Sequence, residues 1–224
     1  MSEFPLFTKR MRHRSLLLLV TLLGLILLSG IQTSPSIPWV SGLLWSFYLF
    51  VFCLGGFLLA SNQAWLRVFA GLCLPVILFG ILIEVYPDSI PIGLVSRWLI
   101  LVLQALMLAT VIRFSLQHET HNQMDRLIAG ICGYLILGLL WANIYYLCDL
   151  SGLGHFLTSS GEKATEQDGS LLYFSLVTMS SLGYGDITAS TGFTRILSAL
   201  EAICGTLYLG IFIAALVPRR DPPS

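Results

Sequence analysis

Long apolar runs, each ended by a short polar interval, occupy 16–31, 38–60, 65–85, 92–112, 127–147 and 193–217. About 20 consecutive apolar residues let a helix cross the ~30 Å hydrocarbon core of a bilayer. The pattern therefore predicts an all-α membrane protein with six transmembrane helices, the first being the shortest. A seventh run, SLLYFSLVTM at 170–179, lies between the last two and is too short to cross. It predicts a helix that enters the membrane and returns. Backbone that leaves a helix at membrane depth has no lipid partner for its polar groups. The loop after this run must therefore be enclosed by protein or line a wet cavity.

These elements divide the chain into a four-span region at 1–112, an interfacial linker at 113–126, a second region at 127–217 and a short tail at 218–224. The linker, RFSLQHETHNQMDR, mixes Phe114, Leu116 and Met124 with charge, which suits the inner membrane surface. His118 and His121 stand about one helical turn apart there, a spacing that permits a pH-sensitive or metal-binding pair. Nothing else completes a ligand set, so a solvated polar face is the reading adopted.

Composition supports the membrane assignment independently. Hydrophobic residues make up 56% of the chain and charged residues 11%, with a mean hydropathy of +0.83, far from a soluble domain's balance. Net charge is zero, so the placing of charge is more informative than its sum. With six spans and both termini cytoplasmic, Lys9, Arg10, Arg12, Arg14, Arg67, Arg113, Arg126, Arg219 and Arg220 all fall inside, and only Lys163 and Arg195 fall outside. Asp88, Asp149, Glu162, Glu166, Asp168 and Asp186 lean outward. This predicts a multi-pass protein of the cell membrane, or of the inner membrane in a bacterium. The basic residues before the first run also fit a signal-peptide flank, but no clear small-x-small cleavage site follows Leu28, so the run is read as a span. Cys53, Cys73, Cys132 and Cys204 fall inside spans and Cys148 at an outer end, which implies small buried hydrophobes rather than a disulfide framework.

Residues 178–188 read TMSSLGYGDIT. Gly183 and Gly185 flank Tyr184, and glycine reaches backbone conformations closed to other residues, so alternating such residues can aim successive carbonyl oxygens one way. Carbonyls lined up in this manner replace the hydration shell of a potassium ion. Here the chain resembles the pore-loop potassium channels, from the fifth span onward. The resemblance implies a pore helix at 170–179, filter carbonyls on Ser181, Leu182, Gly183 and Tyr184 that bind K+, and Gly185 closing the outer mouth. It also implies four copies around a fourfold axis, since one chain carries one loop. The commonest family string has Thr and Val where this chain has Ser181 and Leu182, which leaves the degree of selectivity open; Tyr184, whose loss tends to admit sodium, is present.

The same resemblance places Tyr173 on the pore helix as the aromatic donor that braces Asp186, and puts Val177 where some bacterial members carry a Glu. Gly205 aligns with the family's hinge glycine and Arg195 with an Arg at the start of the inner helix. Close helix packing is an equally ordinary use of a glycine such as Gly205 in a membrane. Glu201 lies about two turns into the last span, where a charge is costly. It is read as a neutral or satisfied group behind the pore helix, bonded to Ser175 or Ser180.

A voltage sensor carries Arg at every third position, but stepping from Arg97 meets Ile100, Leu103, Leu106, Ala109 and Ile112. Steep voltage gating is therefore not expected. Arg97 is expected to pair with Glu84 or to snorkel outward. No catalytic, phosphate-binding or metal-ligand signature appears, so neither an enzyme nor a cofactor beyond K+ is expected, and no nucleic acid. Any ligand gating would act through the membrane domain, lipids or a separate regulatory subunit. The leading expectation is a homotetrameric potassium channel. Its rivals are a non-selective monovalent cation channel and a non-conducting accessory subunit.

Overall fold

The computed structural model describes residues 14–30, 47–48, 50–56, 63–86, 89–116, 123–166 and 169–216. Six α-helices stand in it from end to end: α1 (Arg14–Ser29), α2 (Gln63–Val85), α3 (Ile90–Leu116), α4 (Gln123–Leu150), α5 (Ser170–Met179) and α6 (Gly192–Leu216). A further helical segment covers 50–56, inside the run expected at 38–60. Among the described residues, the helices at Ile90–Leu116, Gln123–Leu150 and Gly192–Ala215 are long and apolar enough to cross a membrane, while Ser15–Ser29 and Arg67–Ile83 are shorter apolar helices. α3 runs on to Leu116 and α4 begins at Gln123, so both ends of the expected linker are helical. His118, His121 and the tail at 218–224 lie outside the described residues.

α3 and α4 run antiparallel, and Asn143 late in α4 donates to the Arg97 carbonyl early in α3 at 3.0 Å. The end of α3 meets the start of α4 through paired bonds: Ser115 Oγ donates to the Arg126 carbonyl at 2.9 Å, and Arg126 Nε donates to the Ser115 carbonyl at 2.7 Å. α1 runs parallel to α4, because Ser15 at its start donates to Asp125 Oδ1 at 3.2 Å. One core forms where Leu18 and Leu22 of α1, Leu103 and Met107 of α3, and Cys132 and Ile136 of α4 interlock. Lipid tails are as apolar as these side chains, so close packing rather than water exclusion holds them. Gln104 crosses the same interface, donating from Nε2 to the Leu139 carbonyl at 3.0 Å. The Arg97 guanidinium lies 3.7 Å over the Tyr146 ring, a cation–π contact within the membrane bundle, whereas the Glu84 side chain lies outside the described residues.

α4 meets α6 across a glycine face. An added Cβ would fall 1.7 Å from the Phe212 ring at Gly130 and 2.2 Å from the Tyr208 hydroxyl at Gly133. Tyr208 also donates to the Gly130 carbonyl at 2.8 Å, so missing side chains let an aromatic residue reach the backbone. Gly130→Leu is expected to lower the melting temperature of the purified protein by about 2–10 °C, the effect of roughly 1–3 kcal/mol of overpacking. The double variant with Phe212→Ala, read in the same thermal assay, is expected to recover part of that loss.

The helical frame carries one short addition that the hydropathy pattern does not predict. β1 (Phe156–Thr158) pairs antiparallel with β2 (Ile187–Ala189), in the register Phe156↔Ala189, Leu157↔Thr188 and Thr158↔Ile187. A short 3₁₀ turn at Ala164–Glu166 follows β1. Two three-residue strands leave the fold helical in all its membrane elements.

Candidate functional site

The site is built on α5, which is gripped at both ends. At its start Gly169 takes φ 76°, and a Cβ there would sit 2.3 Å from the Ser29 carbonyl oxygen, so α1 abuts the head of α5. At its end Met179 lies against Gly205 of α6, where a Cβ would fall 2.4 Å from the Met179 carbonyl oxygen. Between these points Phe174 joins Tyr145 and Phe156 in an aromatic cluster, with ring centroids 4.7, 5.4 and 5.1 Å apart pairwise. Phe156 belongs to β1, and the pairing of β1 with β2 anchors the chain just after Asp186. Ser190 reinforces it by donating from its Oγ to the His155 carbonyl at 2.7 Å.

After Met179 the backbone turns back on the helix. The N–H groups of Ser181 and Leu182 donate to the carbonyls of Thr178 at 2.9 Å and Val177 at 3.0 Å, and that of Gly183 reaches Val177 at 3.4 Å. In a trans peptide the carbonyl points opposite to the N–H of the same unit. The carbonyls of Ser180, Ser181 and Leu182 therefore turn away from α5. Backbone φ is positive at alternate residues, 58° at Ser181, 58° at Gly183 and 77° at Gly185. A left-handed residue is nearly free for glycine and costs roughly 1–2 kcal/mol for an L-residue such as Ser181. All of 180–186 is exposed in the single chain, with Leu182 at 57% and Tyr184 at 66%.

The structure brings the expected supporting residues together around this loop. The Tyr173 and Tyr184 rings stack with centroids 6.5 Å apart and planes 4° from parallel. The Asp186 carboxylate beside the Tyr173 hydroxyl raises its pKa above the ordinary phenol value, because removing that proton would bring two negative oxygens together. Arg195 Nε donates to the Ala189 carbonyl at 3.2 Å, fixing the entry to α6. Thr191 and Thr194 cap that entry reciprocally, each N–H reaching the other's hydroxyl, at 3.2 and 3.3 Å.

Glu201 is fully buried, as a satisfied group behind α5. Its Oε1 lies 2.5 Å from Ser175 Oγ, and the Tyr145 hydroxyl donates to its Oε2. Ser180, the other partner considered, instead donates to the Val177 carbonyl at 3.1 Å. Tyr145 was not singled out from the sequence, since its carboxylate partner lies 56 positions away along the chain. The signal that would have found it is the acidic side chain in an apolar span, which demands a donor from a neighbouring helix.

Residues 133–219 match the model of a family described as an ion channel. The matched stretch takes in most of α4, the loop with β1, α5, the glycine-punctuated turn and α6, so the similarity to that family covers the elements around the site. No curated protein matches the chain. No solved structure matches it either.

Proposed function

We propose that the chain is a potassium-selective channel that works as a homotetramer, passing K+ passively through rings of carbonyl oxygens from Ser181, Leu182, Gly183 and Tyr184. The observation that carries this reading is the backbone of the turn after α5. The N–H groups of Ser181, Leu182 and Gly183 are tied back to the helix, the φ angles alternate in sign, and the carbonyls of Ser180, Ser181 and Leu182 turn to the far side. A dehydrated monovalent cation is the ligand such oxygens suit. The surface that one copy leaves bare supports association with further copies, and four is the number the resemblance to the pore-loop channels implies. Ile196, Leu200, Ile203, Leu207 and Ile211 form an exposed apolar stripe along one face of α6. Loop backbone at membrane depth must be covered by protein or water, and further copies of the chain supply both. Gly185 closes the outer mouth, Tyr173 and Asp186 brace it, and K+ is the ion bound. We place both termini in the cytoplasm, six spans in the cell membrane, and the four-span region in contact with lipid, where a regulatory subunit would also act.

The test is reconstitution of the purified protein in planar bilayers under opposed potassium and sodium gradients. Reversal at the potassium equilibrium potential is expected. Reversal near zero would make the pore a non-selective cation channel, as the departures at Ser181 and Leu182 would then explain. A correctly folded but silent homomer would make the chain an accessory subunit.

A further inference from the structure

The contacts around Glu201 demand a definite number of protons. Three of them meet at Ser175 and Glu201: Tyr145 hydroxyl to Oε2, Ser175 Oγ to Oε1 at 2.5 Å, and Ser175 Oγ to the Gly138 carbonyl at 2.8 Å. A hydroxyl carries one proton, a carbonyl carries none, and an ionised carboxylate only accepts. With Glu201 ionised, two protons serve three contacts. Ser175 must then leave either the carboxylate or the Gly138 carbonyl facing it at hydrogen-bond distance with no hydrogen between. With a proton on Oε1, Glu201 donates to Ser175, Ser175 donates to Gly138, and Tyr145 donates to Oε2, so each contact holds one hydrogen.

We infer that Glu201 is a proton-held positioning residue for the conducting loop. In its protonated form it ties α5 to both α4 and α6. The inference rests on the channel reading for its consequence, though not for the proton assignment. Glu201 and Gly205 lie one turn apart on the same face of α6, and they hold α5 at Ser175 and Met179 respectively, one turn apart on α5. The polar attachment and the steric one together fix the end of α5 from which the loop departs. The titratable groups that face Glu201 are Tyr145 and Tyr134 from α4, with Cys148 beyond Tyr145. From α5 the facing group is Ser175, and from α6 itself it is Ser198, beside Tyr145. The sign follows from the count. The full set of contacts is present while Glu201 keeps its proton, and one is lost as pH rises through its titration.

The experiment joins infrared spectroscopy with rubidium flux on the full-length protein in liposomes. At neutral pH a carboxylic-acid carbonyl band is expected in wild type, absent from Glu201→Gln, and shifted in Ser175→Ala where its partner is gone. On raising the pH the band disappears, and flux falls about tenfold over the same interval, the factor one such hydrogen bond commands. In Glu201→Gln, whose amide keeps a donor for Ser175 and an acceptor for Tyr145, flux is flat over that interval. The inference is overturned if wild type lacks the band at neutral pH, or if Glu201→Gln keeps the wild-type pH profile. A folded wild type with no flux at any pH defeats the channel reading instead, and the band with its Ser175→Ala shift then decides the proton assignment alone.

Discussion

Gly183→Ala is expected to abolish rubidium flux while leaving the circular dichroism spectrum of the helices unchanged. The effect does not come from crowding, since no heavy atom lies within 4 Å of where the new Cβ would stand in one chain. It comes from the backbone, which holds φ at 58° there. Alanine in that left-handed conformation costs roughly 1–2 kcal/mol, or about 4–8 kcal/mol over the four copies proposed, enough to empty the proposed conducting arrangement by on the order of 10³ or more. If the strain is relieved by rotating φ to a negative value, the adjoining peptide turns. A donor N–H then replaces a carbonyl oxygen on the ion's path, where a cation is repelled. Gly152→Ala is the matched control. Gly152 has φ 70° and equally open surroundings, but lies in the loop after α4, so it carries a similar local strain with no carbonyl on the path. Flux that survives Gly183→Ala would refute the assignment of the turn to ion binding.

Much of the helical frame was legible because an apolar run in a bilayer has few alternatives to a helix. α3, α4 and α6 each start and end near the runs read from hydropathy, and α5 spans the run at 170–179 without adjustment. The turn was legible for a different reason. Gly183 and Gly185 mark positions of positive φ directly, and the structure adds Ser181 to the alternation, where residue type alone gives no such sign. What stayed hidden depends on tertiary neighbours. β1 and β2 are three residues each, too short to show a period, and pair only because the loop returns beside the chain after Asp186. Gly130 and Gly133 read as ordinary glycines of a span until Tyr208 and Phe212 are found in their place. The approach of Ser29 to Gly169 is likewise invisible, since it joins two helices about 140 residues apart through backbone atoms that carry no sequence signature.

Gly205→Ala separates two uses of a glycine that predict opposite signs. If Gly205 serves only as a bend in α6, alanine should stiffen a continuous helix and stabilise the protein by roughly 0.5–1 kcal/mol per copy, altering channel opening alone. The packing predicts the reverse. The added Cβ would lie 2.4 Å from the Met179 carbonyl oxygen and 2.5 Å from its Cγ. A side chain can rotate aside, but a carbonyl at the end of α5 can move only if the helix moves with it. Separation of α5 from α6 also stretches the bond between Ser175 and Glu201 one turn away, so the steric and polar attachments fail together. Overpacking of this kind costs about 1–3 kcal/mol per copy, more than the gain in helix propensity. Gly205→Ala is therefore expected to lower both the melting temperature and the recovery of assembled channel in size-exclusion chromatography. Met179→Ala should restore neither in full, because the backbone oxygen stays. Gly80→Ala, in α2 with open space around the new Cβ, measures propensity without the clash and should leave stability unchanged or slightly raised. A Gly205→Ala protein as stable as Gly80→Ala, altered only in gating, would assign Gly205 to the bend.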